Sequence, residues 1–546
     1  MTRIPLLALP ALLTVISMAV PASPADPPPF RVGIEFPTQV PITNAVKSGL
    51  QEIGINFINY YVTTFPGGAD LPEQQTNEAV LALCEELGLD FALACHMYDP
   101  PDDIVKACIA RNSLEGAKSR YLGLLFDELA HARVLHHFGP NQLADLSQVT
   151  DLPGAYLAVL AGYRKVEAHY AELGSPVIAT HVFPVLLHLA AEAGFIPCPK
   201  ICKEFYSPVS LAVGLGAAKE YGTPLWVDCD LWYMDTIPGH PAEELKSNLL
   251  LAYLAGADLL YIEGSGFNLH PAGNQGTPFS LINQISTERF QLTPHGEALR
   301  WFCRDWLPAN PRSWTFRDLT PDVAIVRFDD SDYGKRYQSD IDYWGRLFGV
   351  MSLLPDADTE AWLQIWDLLT VGKTGTAGLT YFKTLFGSSG IGWSERPMDE
   401  HHTPSYASRP VQSSFHTFFV PFNNTVVYDH KVGYDLLKDV PLLFATGKLL
   451  SEETWRALQR RVEEGGTCII WAPLAAKLGL EAEGPGVHEI KRGTGRFVVT
   501  DDFRAGSIHQ YVWPWLPRPD RIRFRFGDRE VLLWKVSENE VRPEVR

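Results

Sequence analysis

The chain has 546 residues, of which 46% are hydrophobic and 20% are charged. These values are typical of a soluble, well-packed protein, and the length predicts two or three domains rather than one. The formal net charge of −18 argues against nucleic acid or an anionic membrane as a partner, because binding phosphate requires a surplus of lysine and arginine. A small neutral or cationic ligand fits this charge better.

Residues 1–25 have the pattern of a signal peptide. Arg3 lies in a short basic start, an apolar run covers residues 4–20, and small residues follow at positions 22 and 25. The alternative is a membrane anchor, which the prolines inside and directly after the apolar run disfavour. The mature protein is therefore expected to be soluble, and either secreted or periplasmic.

Residues 26–310 are predicted to form a (β/α)8 TIM barrel. Short apolar runs alternate there with helix-length amphipathic stretches, which is the pattern of a parallel sheet with crossover helices. Eight such runs favour a closed barrel over an open doubly wound sheet. The predicted strands are Arg31–Phe36, Ile55–Val62, Asp90–Met97, Tyr121–Phe126, Pro176–His181, Pro199–Phe205, Pro224–Leu231 and Asp258–Glu263. The predicted helices are Ile42–Ile53, Gln74–Leu87, Gly154–Glu172, Val209–Tyr221, Ala242–Ala255 and His295–Trp306.

After residue 310 the pattern changes. Residues 311–485 are predicted to form a smaller flavodoxin-like α/β domain, and residues 486–546 a small β unit. Neither region contains a glycine-rich phosphate loop or a nucleophile elbow, so no cofactor is expected. The predicted strands are Val323–Phe328, Val426–Tyr428, Leu442–Ala445, Thr467–Trp471, Arg521–Phe526 and Val531–Val536, with a helix at Ser451–Glu464.

Several predicted barrel strands end in an ionisable residue. Reacting groups of TIM-barrel enzymes project from the C-terminal ends of the strands. A carboxylate directly after an apolar strand is costly unless it is hydrogen-bonded or takes part in chemistry. The residues at or just beyond these ends are Glu35, His96, Asp127, Glu128, His181, Glu204, Asp228, Asp230 and Glu263.

Three of these residues, Glu128, Glu204 and Glu263, predict glycoside hydrolysis. That reaction requires one carboxyl group that protonates the leaving oxygen and a second that attacks the anomeric carbon or activates water. A third carboxylate raises the pKa of the acid or holds a sugar hydroxyl. The alternative for any one of them is a structural carboxylate that caps the next helix or pairs with lysine or arginine.

Aromatic residues near the strand ends strengthen the prediction of a sugar substrate, because the apolar faces of sugar rings stack on aromatic rings. Some of them are expected to be core residues at the top of the barrel instead. The full set is Tyr60, Tyr61, Tyr98, Phe205, Tyr206, Trp226, Trp232, Tyr233 and Phe267. The predicted sugar-binding residues are Tyr60, Trp232 and Tyr233 together with Asp127, Glu35, His96, His181 and Asp228.

Two alternatives to a glycosidase remain open in the sequence. A non-catalytic sugar-binding barrel would share the aromatic lining but would hold its carboxyl groups well beyond roughly 10 Å apart. A metal-dependent barrel enzyme would use as ligands His96, His181, Glu204 and Asp228. The eight cysteines match no zinc pattern, so no bound metal is expected.

The segments Asp127-Glu128 and Tyr261-Ile-Glu263 resemble the catalytic segments of clan A glycoside hydrolases. The resemblance implies a TIM barrel whose acid/base glutamate ends strand four and whose nucleophile ends strand seven. Glu128 follows the fourth predicted strand and takes the first role, although Asp127 stands where the clan has asparagine. Glu263 ends the eighth predicted strand, so Glu204 is its rival as nucleophile. The implied reaction is retaining hydrolysis of β-linked glycosides.

Two further resemblances concern longer segments. Residues 211–226 and 250–263 are similar to uncharacterised barrel proteins of environmental bacteria in which both glutamates recur. Residues 434–444, with the Gly465-Gly466 pair that follows, resemble the amidotransferase-like trimerisation domain of family 42 β-galactosidases. This second resemblance implies a homotrimer whose second domain has no amidotransferase activity.

Overall fold

The computed structural model of the protein contains a closed barrel of eight parallel strands, β1 to β8, in chain order. Strand β8 pairs with β1 and closes the barrel. The predicted TIM barrel is therefore confirmed. The strands are β1 Arg31–Glu35, β2 Phe57–Thr63, β3 Asp90–Cys95, β4 Tyr121–Asp127, β5 Val177–His181, β6 Ile196–Ile201, β7 Trp226–Asp230 and β8 Leu259–Glu263.

Residues 31–546 form one compact unit. Within the described residues, no helix combines the length and the apolar character that crossing a membrane requires. The structure describes residues 30–38, 41–63, 73–96, 98–129, 143–144, 152–181, 186–202, 206–231, 240–264, 267–268, 280–328, 357–372, 418–480, 482 and 484–546.

Strand β6 lies earlier than predicted, at Ile196–Ile201 instead of Pro199–Phe205. Proline has no backbone N–H, so the two prolines of this segment, Pro197 and Pro199, are unusual inside a central strand. Cys198 of this strand belongs to the interior core, so the alternation of side chains places both prolines on the outer side and Lys200 inside. Glu204 consequently lies beyond the end of β6, outside the described residues.

Helices alternate with the barrel strands along the chain, and the six predicted helices are present. The last of them continues as a π-helix at Trp301–Trp306. Three helices were not predicted. Two of these, Leu187–Glu192 with six residues and Leu307–Ala309 with three, are too short for a helical hydrophobic period to show. The helices are α1 Asn44–Ile53, α2 Glu73–Leu87, α3 Asp102–Arg111, α4 Leu152–Leu173, α5 Leu187–Glu192, α6 Ser207–Tyr221, α7 Ala242–Leu254, α8 Pro294–Arg300 and α9 Leu307–Ala309.

The interior of the barrel is a packed apolar core. The Phe57 ring meets the rings of Trp226 and Tyr261 edge-on, with centroids 5.7 and 6.5 Å apart. Gly33 on β1 leaves room for Phe57, because a Cβ at this position would lie 2.3 Å from the ring. Small and large side chains thus fill the barrel together, as close packing requires. The core residues are Phe57, Ala92, Ala94, Leu125, Ile178, Cys198, Trp226, Leu259 and Tyr261.

A six-stranded sheet follows the barrel, in the order β14-β12-β15-β16-β18-β17. Strand β17 is antiparallel, and the other five are parallel. Numbered within the sheet, the parallel strands have the order 2-1-3-4-5, which is the predicted flavodoxin-like arrangement. The elements are β12 Val323–Arg327, α10 Ala357–Leu369, β14 Thr425–Asp429, α11 Tyr434–Leu437, β15 Leu442–Thr446, α12 Glu452–Glu463, β16 Thr467–Trp471, α13 Ala472–Lys477, β17 Val487–Arg492 and β18 Gly495–Thr500.

Two smaller sheets complete the described fold. A four-stranded sheet, β13-β19-β20-β21, contains both strands predicted in the C-terminal region. A three-stranded sheet, β11-β10-β9, follows the barrel strands in the chain. The elements are β9 Phe267–Asn268, β10 Ile282–Gln284, β11 Phe290–Leu292, β13 Phe422–Asn423, α14 His509–Val512, β19 Arg521–Phe526, β20 Arg529–Lys535 and β21 Val541–Val545, with 3-10 turns at Phe316–Asp318, Gly506–Ile508 and Trp513–Trp515.

The barrel contacts the six-stranded sheet through helix α6. A Cβ at Gly216 would lie 1.6 Å from the carbonyl oxygen of Val427 on β14, so only glycine permits this approach. The Nε2 atom of the buried His188 lies 2.8 Å from the Val427 carbonyl oxygen. Helix and strand therefore pack backbone to backbone at this interface.

Candidate active site

Ionisable side chains from different strands meet at the C-terminal mouth of the barrel. Side chains alternate along each strand, so the positions in register with the apolar core face inward. The mouth cluster, as we name it, consists of Glu35 (β1), Tyr61 (β2), His96 (after β3), Asp127 and Glu128 (end of β4), Lys200 (β6), Asp228 and Asp230 (β7) and Glu263 (β8).

Lys200 is the centre of the mouth cluster. Its side chain is 1% exposed. Its Nζ atom lies 2.7 Å from Glu263 Oε2, 2.9 Å from Asp127 Oδ1, 3.4 Å from Asp230 Oδ2 and 3.9 Å from Glu128 Oε1. One buried ammonium group thus holds four carboxyl groups from three strands.

Two tyrosine hydroxyl groups orient carboxyl groups of the cluster. Tyr61 donates to Asp127 Oδ2 at 2.6 Å, and Tyr261 donates to Asp228 Oδ2 at 2.9 Å. Tyr261 also belongs to the apolar core, so the core directly supports the polar layer above it. Each aspartate side chain is therefore held in place by a hydrogen bond from a tyrosine hydroxyl group.

Glu128 has an unusual backbone conformation, with φ of +50°. A non-glycine residue in this region costs on the order of 1–3 kcal/mol, and such strain clusters at functional sites. Its N–H donates to the Thr180 carbonyl oxygen at 2.9 Å, which continues the pairing of β4 with β5. Its Oε2 atom lies 3.6 Å from His96 Nε2. The turn thus directs the Glu128 side chain toward a second cationic partner besides Lys200.

The carboxyl groups of the cluster outnumber its basic groups, and some of them retain a proton. Burial, with the charge of Asp230, raises the pKa of Glu263 to about 7. Burial, with the charges of Glu263 and Asp127, raises the pKa of Glu35 well above its ordinary value. Burial and the charge of Glu263 also raise the pKa of Asp228 well above its ordinary value, and Asp228 is hydrogen-bonded to Glu263.

The two basic groups of the cluster are stabilised as cations. Burial lowers the pKa of His96, but its hydrogen bond with Glu128 and the charges of Asp127 and Glu128 outweigh this and raise it above the ordinary value. Burial likewise disfavours charged Lys200, but its carboxylate neighbours raise its pKa well above the usual range. The position of Lys200 among four carboxyl groups therefore favours a charge-balancing role over that of a nucleophilic amine.

Six of the residues predicted for the site come together in the mouth cluster. They are Glu35, His96, Asp127, Glu128, Asp228 and Glu263. Tyr60 does not join them. Its side chain is buried, and its hydroxyl donates to Asn77 Oδ1 on α2 at 2.5 Å. Because side chains alternate along a strand, the Tyr61 side chain faces the barrel interior and the Tyr60 side chain does not.

Four predicted residues cannot be placed in the site. Glu204, Trp232 and Tyr233 lie outside the described residues. His181 ends β5, and its side chain lies outside the described part of the chain. The aromatic platform and the third catalytic carboxylate therefore stay predictions, as does the metal site that would need His181 and Glu204.

The sequence predicted no role for Lys200 in binding or catalysis, and it placed Asp230 at a strand end without a function. Tyr61 was predicted only as one of the aromatic residues on which a sugar ring could stack, not as a partner of Asp127. The signal for Lys200 was the alternation of Ile196, Cys198 and Lys200 along β6, which the displaced strand assignment hid. All eight cysteines lie in the described residues as buried thiols, and none of them forms a disulfide there.

No protein-family model matches the chain, and no curated protein sequence matches it either. Similar solved structures include an exo-β-1,4-mannosidase from Opitutaceae bacterium strain TAV5, with 12% identity over 90% of this chain and 97% of that chain and a TM-score of 0.48. A GH5_18 protein from Streptomyces cattleya in complex with Manβ1-4GlcNAc has 13% identity over 73% and 98% of the two chains and a TM-score of 0.36. A GH128 endo-β-1,3-glucanase from Amycolatopsis mediterranei has 14% identity over 50% and 98% and a TM-score of 0.27. At these values the reaction has to be argued from the site itself.

Proposed function

We propose that the protein is a glycoside hydrolase whose catalytic carboxyl groups are Glu128 and Glu263. The observation that carries the proposal is their shared contact with Lys200 Nζ, at 3.9 and 2.7 Å. The two contacting oxygens are separated by at most the sum of these distances, 6.6 Å. Two carboxyl groups this close can act on one glycosidic bond.

The separation fits the retaining mechanism that the clan A resemblance implies. Retaining enzymes hold their two carboxyl groups about 5–5.5 Å apart, and inverting enzymes about 6.5–9.5 Å apart. The upper limit of 6.6 Å applies to one pair of oxygens, set by the distances to Lys200, and it includes the range of retaining enzymes. It also disfavours a non-catalytic sugar-binding barrel, for which no close carboxyl pair is needed.

The environments of the two carboxyl groups favour different roles. Glu263 has a pKa of about 7, so near neutrality it retains the proton that a general acid needs. Glu128 lies between two basic groups, with His96 Nε2 at 3.6 Å and Lys200 Nζ at 3.9 Å, and opposite charges this close favour a carboxylate as the attacking group. We therefore assign proton donation to Glu263 and nucleophilic attack to Glu128, which is the reverse of the roles implied by the clan A resemblance.

Both assigned side chains are accessible from the barrel mouth, whereas the deeper groups are not. Glu128 is 20% exposed and Glu263 is 12% exposed, but Asp230 is fully buried. This difference supports Glu128 and Glu263 over Asp230, although Asp230 ends strand seven. The deeper groups then influence the protonation of the reacting pair through their charges and hydrogen bonds. These groups are Asp228, Asp230 and Lys200.

The wider proposal includes what the sequence alone suggests. The substrate class is β-linked glycosides or oligosaccharides, as the clan A resemblance implies. Export by residues 1–25 and assembly of a trimer through the flavodoxin-like domain also stand as proposals on sequence patterns. No part of the proposed reaction uses a cofactor.

The first experiment measures hydrolysis of a panel of aryl β-glycosides and β-linked oligosaccharides. Glu128→Gln and Glu263→Gln are each expected to lower kcat/KM by about a hundredfold or more, since acid/base catalysis alone contributes this much. Glu115→Gln, on an exposed loop before β4, is the matched control and should keep full activity. A loss below about tenfold in either variant would contradict its role.

A second experiment separates the two roles. With a dinitrophenyl glycoside, whose leaving group needs no proton, Glu263→Ala should regain activity and yield a glycosyl azide of retained configuration when azide is added. Glu128→Ala should instead yield the azide of inverted configuration, because azide then replaces the nucleophile. The opposite pair of products would restore the roles implied by the clan A resemblance.

A further inference from the structure

A second cluster of potential metal ligands lies at the end of β6 and the start of α7. Cys202 directly follows β6, His240 precedes α7, and Glu244 is in the first turn of α7. One potential ligand atom from each residue lies within 4.8 Å of those of the other two. We call these three residues the Cys-His-Glu cluster.

The Cys-His-Glu cluster is removed from water. Cys202, His240 and Glu244 are 0%, 2% and 3% exposed, respectively. The His240 Nδ1 and Glu244 Oε2 atoms are 3.0 Å apart. An acidic group and a thiol buried this deeply cost free energy unless a positive charge or a hydrogen bond compensates them.

The backbone around the cluster is held in place by further contacts. Cys202 has a φ of +72°, a strained conformation for a non-glycine residue that persists where the surroundings determine it. Its N–H donates to Ser207 Oγ at 3.1 Å. His295 Nε2 lies 2.7 Å from the His240 carbonyl oxygen. The backbone that carries Cys202 and His240 is therefore held in place by hydrogen bonds.

We infer that the Cys-His-Glu cluster binds a divalent zinc ion. Thiolate, imidazole and carboxylate are ligands of Zn²⁺, and three protein ligands leave the fourth tetrahedral position for water. Metal–ligand distances of about 2.0–2.3 Å place ligand atoms roughly 3–4 Å apart, so side-chain movements of about 1 Å bring these atoms onto one ion. A thiolate, a carboxylate and Zn²⁺ together have no net charge, which suits a buried position.

A catalytic thiol is the other chemistry that a cysteine beside a histidine and a glutamate suggests. Reactive cysteines lie in partly exposed surroundings, whereas a metal ion displaces the proton of a buried thiol directly. The fully buried position of Cys202 also denies a substrate access.

The ion would tie together the chain directly after β6 and the chain directly before α7. Cys202 immediately precedes residues 203–205 in the chain, and His240 immediately follows residues 232–239. These segments contain Glu204, Trp232 and Tyr233, three of the residues predicted for the site. The zinc inference does not depend on the proposed hydrolase function, because it concerns other residues.

The experiment measures zinc bound by the purified full-length protein. The protein is stripped with a chelator, incubated with Zn²⁺, desalted and analysed by mass spectrometry of the elements. One zinc ion per chain is expected in the wild type and in Cys468→Ala, a control at another fully buried cysteine. Cys202→Ala should retain at most about a tenth of this zinc, because one of three protein ligands is lost.

A cobalt experiment on the wild type decides the matter even if Cys202→Ala fails to fold. Co²⁺ in the cluster should give thiolate-to-cobalt charge-transfer absorption in the near ultraviolet and intense visible bands of a tetrahedral ion. Absence of the charge-transfer band, or equal zinc content in Cys202→Ala and the wild type, would overturn the inference. Both readouts are independent of glycoside hydrolysis, so failure of the proposed function would leave them unaffected.

Discussion

At the scale of single residues, the site depends on how one buried cation distributes charge among several acids. Lys200 contacts Glu263 and Asp127 at less than 3 Å, yet the pKa of Glu263 still rises to about 7. Burial and the neighbouring carboxylates outweigh the attraction of the ammonium group. Asp230 is the neighbour with the largest part in this rise. The pKa of Glu263 thus depends on the charged groups of the whole mouth cluster.

We expect Asp230→Asn to shift the pH dependence of hydrolysis. In the wild type kcat/KM should fall above about pH 7, because Glu263 then loses its proton. Removing the negative charge of Asp230 lowers the pKa of Glu263, so the falling limb should move to lower pH by about one unit. The measurement is kcat/KM against pH.

The control for this prediction is Asp103→Asn, at an exposed position on α3. It removes the same charge far from the barrel mouth and should leave the profile in place. An unchanged falling limb in Asp230→Asn, or a move to higher pH, would show that Glu263 is not the titrating acid.

The carboxylates of the site could be found in the sequence because each directly follows an apolar run. The residues that organise them could not be found in the same way. Lys200 and Tyr61 sit within strands, where only the side-chain alternation and the strand's true bounds show that they face inward. Tyr60 and Tyr61 are neighbours of the same type, so composition favoured neither.

At the scale of elements, hydrophobic runs located all eight barrel strands, because strands of a parallel barrel are buried on both sides. Strand β6 was misplaced by its two prolines, which the outer surface of the barrel accommodates. The glycines that allow close packing, such as Gly216, carry no periodic signal. Their role becomes visible only in the contact between α6 and β14.

We expect Gly216→Ala to destabilise the protein. The added methyl group would meet the Val427 carbonyl oxygen at 1.6 Å, so α6 must move away from β14. Overpacking of this kind typically costs about 1–3 kcal/mol. The measurement is the free energy of unfolding in urea.

Gly506→Ala provides the comparison for this prediction, since a Cβ at Gly506 meets nothing within 4 Å. It should change stability by less than about 0.5 kcal/mol. Equal stability of the two variants would mean that α6 and β14 do not approach each other this closely.

At the scale of the whole molecule, a second group of buried acids joins the barrel to the flavodoxin-like domain. The Asp429 N–H donates to Glu220 Oε2 at 2.9 Å, and Tyr221 donates to Asp429 Oδ2 at 2.8 Å. Removal from water and the charge of Asp429 raise the pKa of Glu220 well above its ordinary value. Lys431 lies 2.8 Å from Glu192 beside this group. The two domains therefore share a carboxyl group whose pKa is raised at their interface.

We expect this group to make the protein less stable as pH rises. Above the unfolded pKa of about 4.3, the unfolded chain releases the proton that folded Glu220 retains, so stability declines with pH up to the folded pKa. Glu220→Gln keeps the acceptor oxygen and removes the proton equilibrium. Its melting temperature should fall less than that of the wild type between about pH 5 and about pH 8.

The matched variant for this prediction is Glu115→Gln, which removes an exposed carboxyl group and should follow the wild type at every pH. If the melting temperatures of wild type and Glu220→Gln changed equally with pH across this range, a raised pKa of Glu220 at the interface would be contradicted. Differential scanning fluorimetry in matched buffers is sufficient for the comparison.

The most direct test of the central claim is to trap the glycosyl-enzyme intermediate. The aryl β-glycoside that is hydrolysed fastest is prepared as its 2-deoxy-2-fluoro derivative, which slows breakdown of the intermediate. After digestion, mass spectrometry should find one sugar adduct per chain, on the peptide that contains Glu128. An adduct on the peptide of Glu263 or Asp230 would contradict the assignment of Glu128 as nucleophile.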